Sequence, residues 1–229
     1  MPNDLAGRRI LITGASGALG QVVSGYLLEM GAEVAGTARR WKSPPQKIVT
    51  IAADLSLEAD CLRVVAEAQS KLGGLNALVH LVGGFAGGSA VQATDMAVWD
   101  QMMEINVGSA FRLFRHALPV LQASGAGRLI AVGSRMGIES PAGFGAYSAS
   151  KAALLSLVKT ISAEGKSAGF TANAVLPGVI DTPDNRAAMP QADVSKWVQP
   201  AAIASLIGWL LSDAAGDVTG ALIPVYGRS

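Results

Sequence analysis

The chain has 229 residues, half of them hydrophobic and 15% charged, with a formal net charge of +1. That balance supplies one large core, argues against disorder, and argues against nucleic acid or a membrane surface as the main partner. Cys61 is the only cysteine, so no internal disulfide forms, and with the two distant histidines His80 and His116 it gives no plausible zinc site, so no metal is expected.

Residues 8–13 form a short apolar run ending at glycine, reached without the basic and apolar segments of a leader peptide. Helical spacing follows over 17–30, and short strand-like runs lie at 33–38 and 48–53. Residues 57–72 are amphipathic, and 75–82 are almost wholly apolar, as in a strand buried on both faces. Residues 98–124 read as one long helix, ended by Ser124-Gly125-Ala126-Gly127. A buried strand at 128–133, a helix at 146–168, a strand at 171–176, a helix at 201–212 and a strand at 221–225 complete the chain. The apolar stretch 201–211 is well short of the roughly 20 residues a membrane span needs. This alternation predicts a single α/β domain over 1–229. Its expected form is a doubly wound parallel sheet of about seven strands with helices on both faces, in a cytoplasmic protein.

The first strand leads into Thr13-Gly14-Ala15-Ser16-Gly17-Ala18-Leu19-Gly20, and a helix follows at once. Glycine there permits positive φ and close approach of backbone to a bulky anion, while the helix N-terminus offers free N–H groups to a pyrophosphate. Gly14, Ser16, Gly17, Ala18, Leu19 and Gly20 are therefore candidate dinucleotide contacts. The second strand ends at Ala38-Arg39-Arg40. A carboxylate at that point would grip a ribose 2′-hydroxyl, whereas Arg39 and Arg40 accommodate a 2′-phosphate. NADP(H) is thus favoured, with NAD(H) left open. Asp54, at the end of the third strand, suits either an adenine amino group or a local turn.

Tyr147 and Lys151 stand i, i+4 at the start of a helix and project from one face. Ser134 ends the preceding strand and would open onto the cleft of the glycine turn. Hydride delivery to a carbonyl builds negative charge on oxygen, which must be protonated. A phenol of pKa ~10 does such work near neutrality only beside a cation, which Lys151 supplies. Ser134 can donate a hydrogen bond to the same oxygen.

These motifs, together with Asn106 and Pro177-Gly178-Val179-Ile180-Asp181-Thr182, resemble the classical short-chain dehydrogenase/reductase family over almost the whole length. The resemblance implies that Asn106, Ser134, Tyr147 and Lys151 are catalytic, Asn106 holding a water that links the lysine to solvent. It implies cofactor contacts from Asp54, Leu55, Gly83, Tyr147, Lys151, Pro177, Gly178, Ile180 and Thr182. It also implies a homodimer or homotetramer packed through the helices around Asn106 and Tyr147. The chain departs from the family at Ala18, where the usual glycine is displaced to Gly17. A second departure is His80-Leu81-Val82-Gly83, where Asn-Asn-Ala-Gly is usual; His80 is read as structural.

Gly83-Gly84-Phe85-Ala86-Gly87-Gly88 and the segment from Asp181 to Trp197 are similar to dihydropteridine reductases of the same superfamily. That similarity puts Phe85 in the substrate pocket beside Ser134 and Tyr147. Three readings follow: an NADPH-dependent carbonyl reductase, or an alcohol dehydrogenase run in reverse, acting on a small molecule; an enzyme reducing a quinonoid pterin; and a non-catalytic NADP(H) sensor. Residues 183–200 read as a substrate lid, with Pro183 and Pro190 breaking regular structure, Asp184, Asn185 and Arg186 at the mouth, and Trp197 as its anchor.

Overall fold

The computed structural model describes residues 4–41 and 47–228. β1 (Arg9–Thr13) alternates between two cores, sending Leu11 to one and Ile10 and Ile12 to the other. The remaining strands are β2 (Glu33–Ala38), β3 (Val49–Ala52), β4 (Ala77–His80), β5 (Arg128–Val132), β6 (Thr171–Pro177) and β7 (Leu222–Val225). All pair in parallel in the order β3-β2-β1-β4-β5-β6-β7. Every residue of β5 and β6 is buried, so both are mostly apolar, and the polar Arg128, Thr171 and Asn173 are buried with them.

The connections carry α1 (Ala18–Glu29), α2 (Glu58–Leu72), α3 (Met96–Met103), α4 (Ser109–Ala123), α5 (Met136–Glu139), α6 (Gly145–Gly165), α7 (Pro183–Ala188) and α8 (Pro200–Leu211). α1 and α8 cover one face, where Val23, Leu27, Ile203 and Ile207 meet Ile12 and Val79. α2, α4 and α6 cover the other, where Val65, Leu113, Phe114 and Leu154 meet Leu11 and Leu78. The chain runs outward from β1 to β3 and returns to β4 on the other side of β1. The strand order therefore reverses between β1 and β4, and a crevice opens beyond their C-terminal ends.

Three predicted elements differ. The long helix over 98–124 is interrupted: α3 and α4 are separated by a π-turn, Glu104–Gly108, with Asn106 inside it. Such a turn inserts a residue into the helical ladder, a change that hydrophobic spacing does not report. The strand expected over 75–82 pairs only over Ala77–His80, because the Leu81 and Val82 amides turn to the Thr13 hydroxyl instead. Pro183, read as a breaker, begins α7: its missing N–H falls where no partner is needed, and the Thr182 hydroxyl accepts from Asn185 N at 3.2 Å as the cap. Among the described residues no helix is long and apolar enough to cross a membrane.

Candidate active site

The glycine turn lies where β1 leaves the sheet. Gly14 has φ +67°, and a Cβ built on Gly20 would sit 2.2 Å from the Gly14 carbonyl oxygen, so turn and helix touch through bare backbone. Gly17 begins α1 in an extended conformation with no side-chain cap, leaving the first-turn amides to other acceptors. Gly17 and Ala18 are exposed, whereas Ser16 and Leu19 are partly buried. A bare backbone turn and an uncapped helix start fit a dinucleotide pyrophosphate.

Ser134 follows β5 and is 9% exposed. Its Oγ accepts from Met136 N at 3.2 Å, which orients the hydroxyl, and it hydrogen-bonds the Tyr147 phenol. Burial pushes the Tyr147 pKa above its ordinary value, and the bond from Ser134 works against that rise. The sequence reading expects the Lys151 charge to bring the phenol down; in the protein alone burial prevails, and the phenol stays protonated near neutrality. Lys151 is 5% exposed, its Nζ lying 6.0 Å from the Tyr147 ring centroid and donating to the Val132 carbonyl at 3.2 Å. Burial lowers its pKa to about 8.

Asn106 is fully buried and ties two segments together. Its Nδ2 donates to Gly84 O at 3.1 Å and to Ser150 Oγ at 3.0 Å, while Oδ1 accepts from Gly84 N at 3.0 Å. A Cβ on Gly83 would lie 2.9 Å from both Asn106 Oδ1 and Lys151 Nζ, so only glycine lets this loop reach them. Ser150 escaped the sequence reading. It donates to the Tyr147 carbonyl at 2.8 Å and so links Asn106 to the tyrosine's own turn. Its place beside Lys151 was the one available signal.

Arg39 and Arg40 are exposed just beyond β2. Arg39 lies near enough to Asp54 to help lower its carboxyl, although hydrogen bonds from Ser56 do most of that work. Asp54 Oδ1 accepts from Ser56 N at 3.0 Å, and Asp54 N donates to Asp60 Oδ2 at 2.7 Å, so the turn role is occupied. Leu55 is buried, and its carbonyl accepts from Arg112 Nε at 3.4 Å.

At the far side Pro177 ends β6, and Gly178 N donates to Val225 O at 3.0 Å. Ile180 bridges Val198, and Thr182 caps α7. Trp197 is 7% exposed and anchors the segment. Two residues expected at the mouth are tied to the lid's own frame, Asn185 partly buried and Arg186 exposed. Asn185 Nδ2 donates to Ile180 O at 2.8 Å, and Arg186 forks onto Asp181 at 2.5 and 2.8 Å.

Phe85 is 63% exposed, its ring T-shaped against Tyr147 at 4.9 Å and tilted against Phe144 at 5.7 Å. Phe144, also missed from sequence, completes this apolar wall. A cavity of about 200 Å³ behind it is lined by Gly87, Thr94, Asp95 and Ala146. A larger open hollow of about 490 Å³ lies on the flank of α6 around Ala152, Ser156 and Lys159, and Tyr147 does not line it. Ser134, Tyr147, Lys151, Asn106, Gly83 and Phe85 thus gather in one place, with Arg39, Arg40 and Asp54 beyond the ends of β2 and β3.

The chain matches the short chain dehydrogenase family over residues 8–193. It is 31% identical over 242 positions to a 3-oxoacyl-[acyl-carrier-protein] reductase of Pseudomonas aeruginosa, covering 98% of each chain. It is 28% identical over 244 positions to the cis-4-hydroxycyclohexanecarboxylate dehydrogenase of Sinomonas cyclohexanicum, covering 99% of this chain and 98% of the relative. A short-chain type dehydrogenase/reductase from Mycobacterium ulcerans shares the fold, with a TM-score of 0.91 at 24% identity, over 98% of this chain and 90% of that one. With its seven-stranded parallel sheet, this protein belongs to the short chain dehydrogenase family and is a nicotinamide-dependent oxidoreductase.

Proposed function

We propose that this enzyme moves a hydride between NADP(H) and the carbonyl or alcohol carbon of a small molecule, with Tyr147 exchanging the proton. The reading is carried by the hydrogen bond between Ser134 and a buried, protonated Tyr147 above the Lys151 ammonium. Bound nicotinamide supplies or takes up the hydride. In the reducing direction the Tyr147 hydroxyl gives its proton to the nascent alkoxide, and Ser134 donates a hydrogen bond to the same oxygen. The Lys151 cation then steadies the phenolate left behind. Asn106 holds the Gly83–Gly84 loop against Lys151 and lies on the path by which the proton is replaced.

The glycine turn with Gly14, Ser16, Gly17, Ala18, Leu19 and Gly20 would hold the pyrophosphate. Arg39 and Arg40 would hold the 2′-phosphate, Asp54 and Leu55 would contact the adenine, and Pro177, Gly178, Ile180 and Thr182 would contact the carboxamide. Both named relatives act on oxygen-bearing carbons, which supports a carbonyl or alcohol substrate here. The helices around Asn106 and Tyr147 form a homodimer or homotetramer interface, measurable by light scattering.

The test is NADPH oxidation, followed by absorbance, with cyclohexanone, acetophenone and ethyl acetoacetate as carbonyl probes and quinonoid dihydrobiopterin beside them. Turnover of a ketone that falls in Ser134→Ala supports the carbonyl reading. The exposed Phe85 ring against Tyr147 favours the pterin as a second reading. Pterin reduction indifferent to Ser134→Ala, with no ketone turnover, would establish it in place of the first.

A further inference from the structure

We propose that His80 is a positioning residue: as a neutral imidazole accepting a hydrogen bond from Thr13, it holds the Gly83 loop in register with Lys151 and Asn106. The inference rests on the active-site reading above. His80 is the last residue of β4 and is fully buried, with Nδ1 3.0 Å from Thr13 Oγ1. The same Thr13 oxygen receives Leu81 N at 3.1 Å and Val82 N at 3.4 Å.

A hydroxyl has two acceptor sites and one proton. With both sites taken by amides, the Thr13 proton is left for His80 Nδ1, so the ring must carry its own proton on Nε2. That nitrogen is buried without a partner. An apolar residue would avoid the orphaned donor, so the use of histidine here points to the work done by Nδ1. Protonating the ring would set a donor on Nδ1 against the hydroxyl's proton. It would also add a second buried cation near Lys151, whose charge already opposes it.

The clasp reaches both sides of the site. Thr13 immediately precedes Gly14 of the cofactor turn. Val82 immediately precedes Gly83, where a Cβ would lie 2.9 Å from both Asn106 Oδ1 and Lys151 Nζ. Losing the acceptor on His80 frees the Thr13 hydroxyl to rotate and releases the two amides that set where Gly83 lies. An asparagine at position 80 carries an amide oxygen that can take the same proton.

Nitrogen-15 NMR tests the arrangement without any ligand. The chain has only two histidines, so His116→Gln leaves the signal of His80 alone. The expected spectrum is a neutral ring protonated on Nε2 throughout the range from about pH 5 to 8. A ring protonated on Nδ1, or an imidazolium in that range, would overturn the proposal. In His80→Leu the Gly83 and Gly84 amide resonances should shift, and in His80→Asn they should return.

For a probe ketone that the parent reduces, His80→Leu should lower kcat by up to about 10-fold, the worth of one hydrogen bond, with KM little changed. His80→Asn should restore it, and Thr13→Val combined with His80→Leu should be no worse than either alone. Leu and Asn variants that behave alike, or a lower Tm with kcat and the Gly83 resonance unmoved, would make His80 a packing residue only. Those outcomes leave the active-site reading intact, which fails separately if Tyr147→Phe keeps full activity.

Discussion

Ser134 and Tyr147 hydrogen-bond one another across the end of the sheet, one leaving β5 and the other on the first turn of α6. Burial keeps the phenol protonated against the opposing effect of that bond, and Ser134 stands where it can share the phenol's eventual acceptor.

Tyr147→Phe removes the proton donor and keeps the ring. Turnover should fall by roughly two orders of magnitude or more, as loss of a general acid does, while NADPH affinity changes little. Single-turnover kinetics with fluorescence titration of NADPH separates the two, and parent-like turnover would remove Tyr147 from the mechanism. Ser134→Ala should cost about 10²-fold in kcat if it stabilises developing charge, with a smaller effect on KM.

Lys151 titrates at about 8, below its ordinary 10.5, because it is buried. The folded chain therefore binds this proton less readily than the unfolded one. The stability linked to it is present above the ordinary lysine pKa and is lost as pH falls through about 8. At neutral pH, keeping the ammonium buried costs on the order of 3 kcal/mol. Lys151→Met removes that cost but deprives Val132 O of its donor. A rise in Tm of roughly 5 °C at pH 7, measured by calorimetry, should accompany loss of turnover.

The same titration predicts a pH profile. The cation is present below pH about 8 and absent above it, whereas the raised Tyr147 remains protonated through this range. The kcat/KM for reduction should therefore decline as pH rises past about 8, the value for the free enzyme. A profile flat to about pH 9.5 would separate the cation from catalysis.

Gly83→Ala puts a methyl group 2.9 Å from Lys151 Nζ and Asn106 Oδ1. Either the lysine swings away or the loop lifts, and both break the site. The expected result is a folded protein, destabilised by about 1–3 kcal/mol in urea titration, with kcat reduced far more than stability alone would cause.

Arg39→Asp should weaken NADPH by roughly 10- to 100-fold, the worth of a charge-assisted hydrogen bond, and leave NADH nearly unchanged. Equal losses with both cofactors would reject the 2′-phosphate role.

Local pattern was enough to read the glycine turn, the arginines after β2, and the Ser134, Tyr147 and Lys151 set. Each depends on residue type at a short spacing or at a strand end, and strand ends follow from where apolar runs stop. Ser150 and Phe144 were not legible in this way. Their roles come from contacts with Asn106 and Phe85, which are distant in the chain. The π-turn at Asn106 was hidden for a related reason: apolar side chains continue at helical spacing on both sides of it.

The sequence alone determined the doubly wound sheet and the chemistry on offer, because hydrophobic period and glycine placement act locally. Tertiary structure decided the electrostatics. It buried Tyr147 and Lys151 together, raising one pKa and lowering the other, and it paired Arg186 with Asp181. The physical reason is desolvation: the energy of a charge depends on everything packed around it, and that environment exists only once the chain has folded.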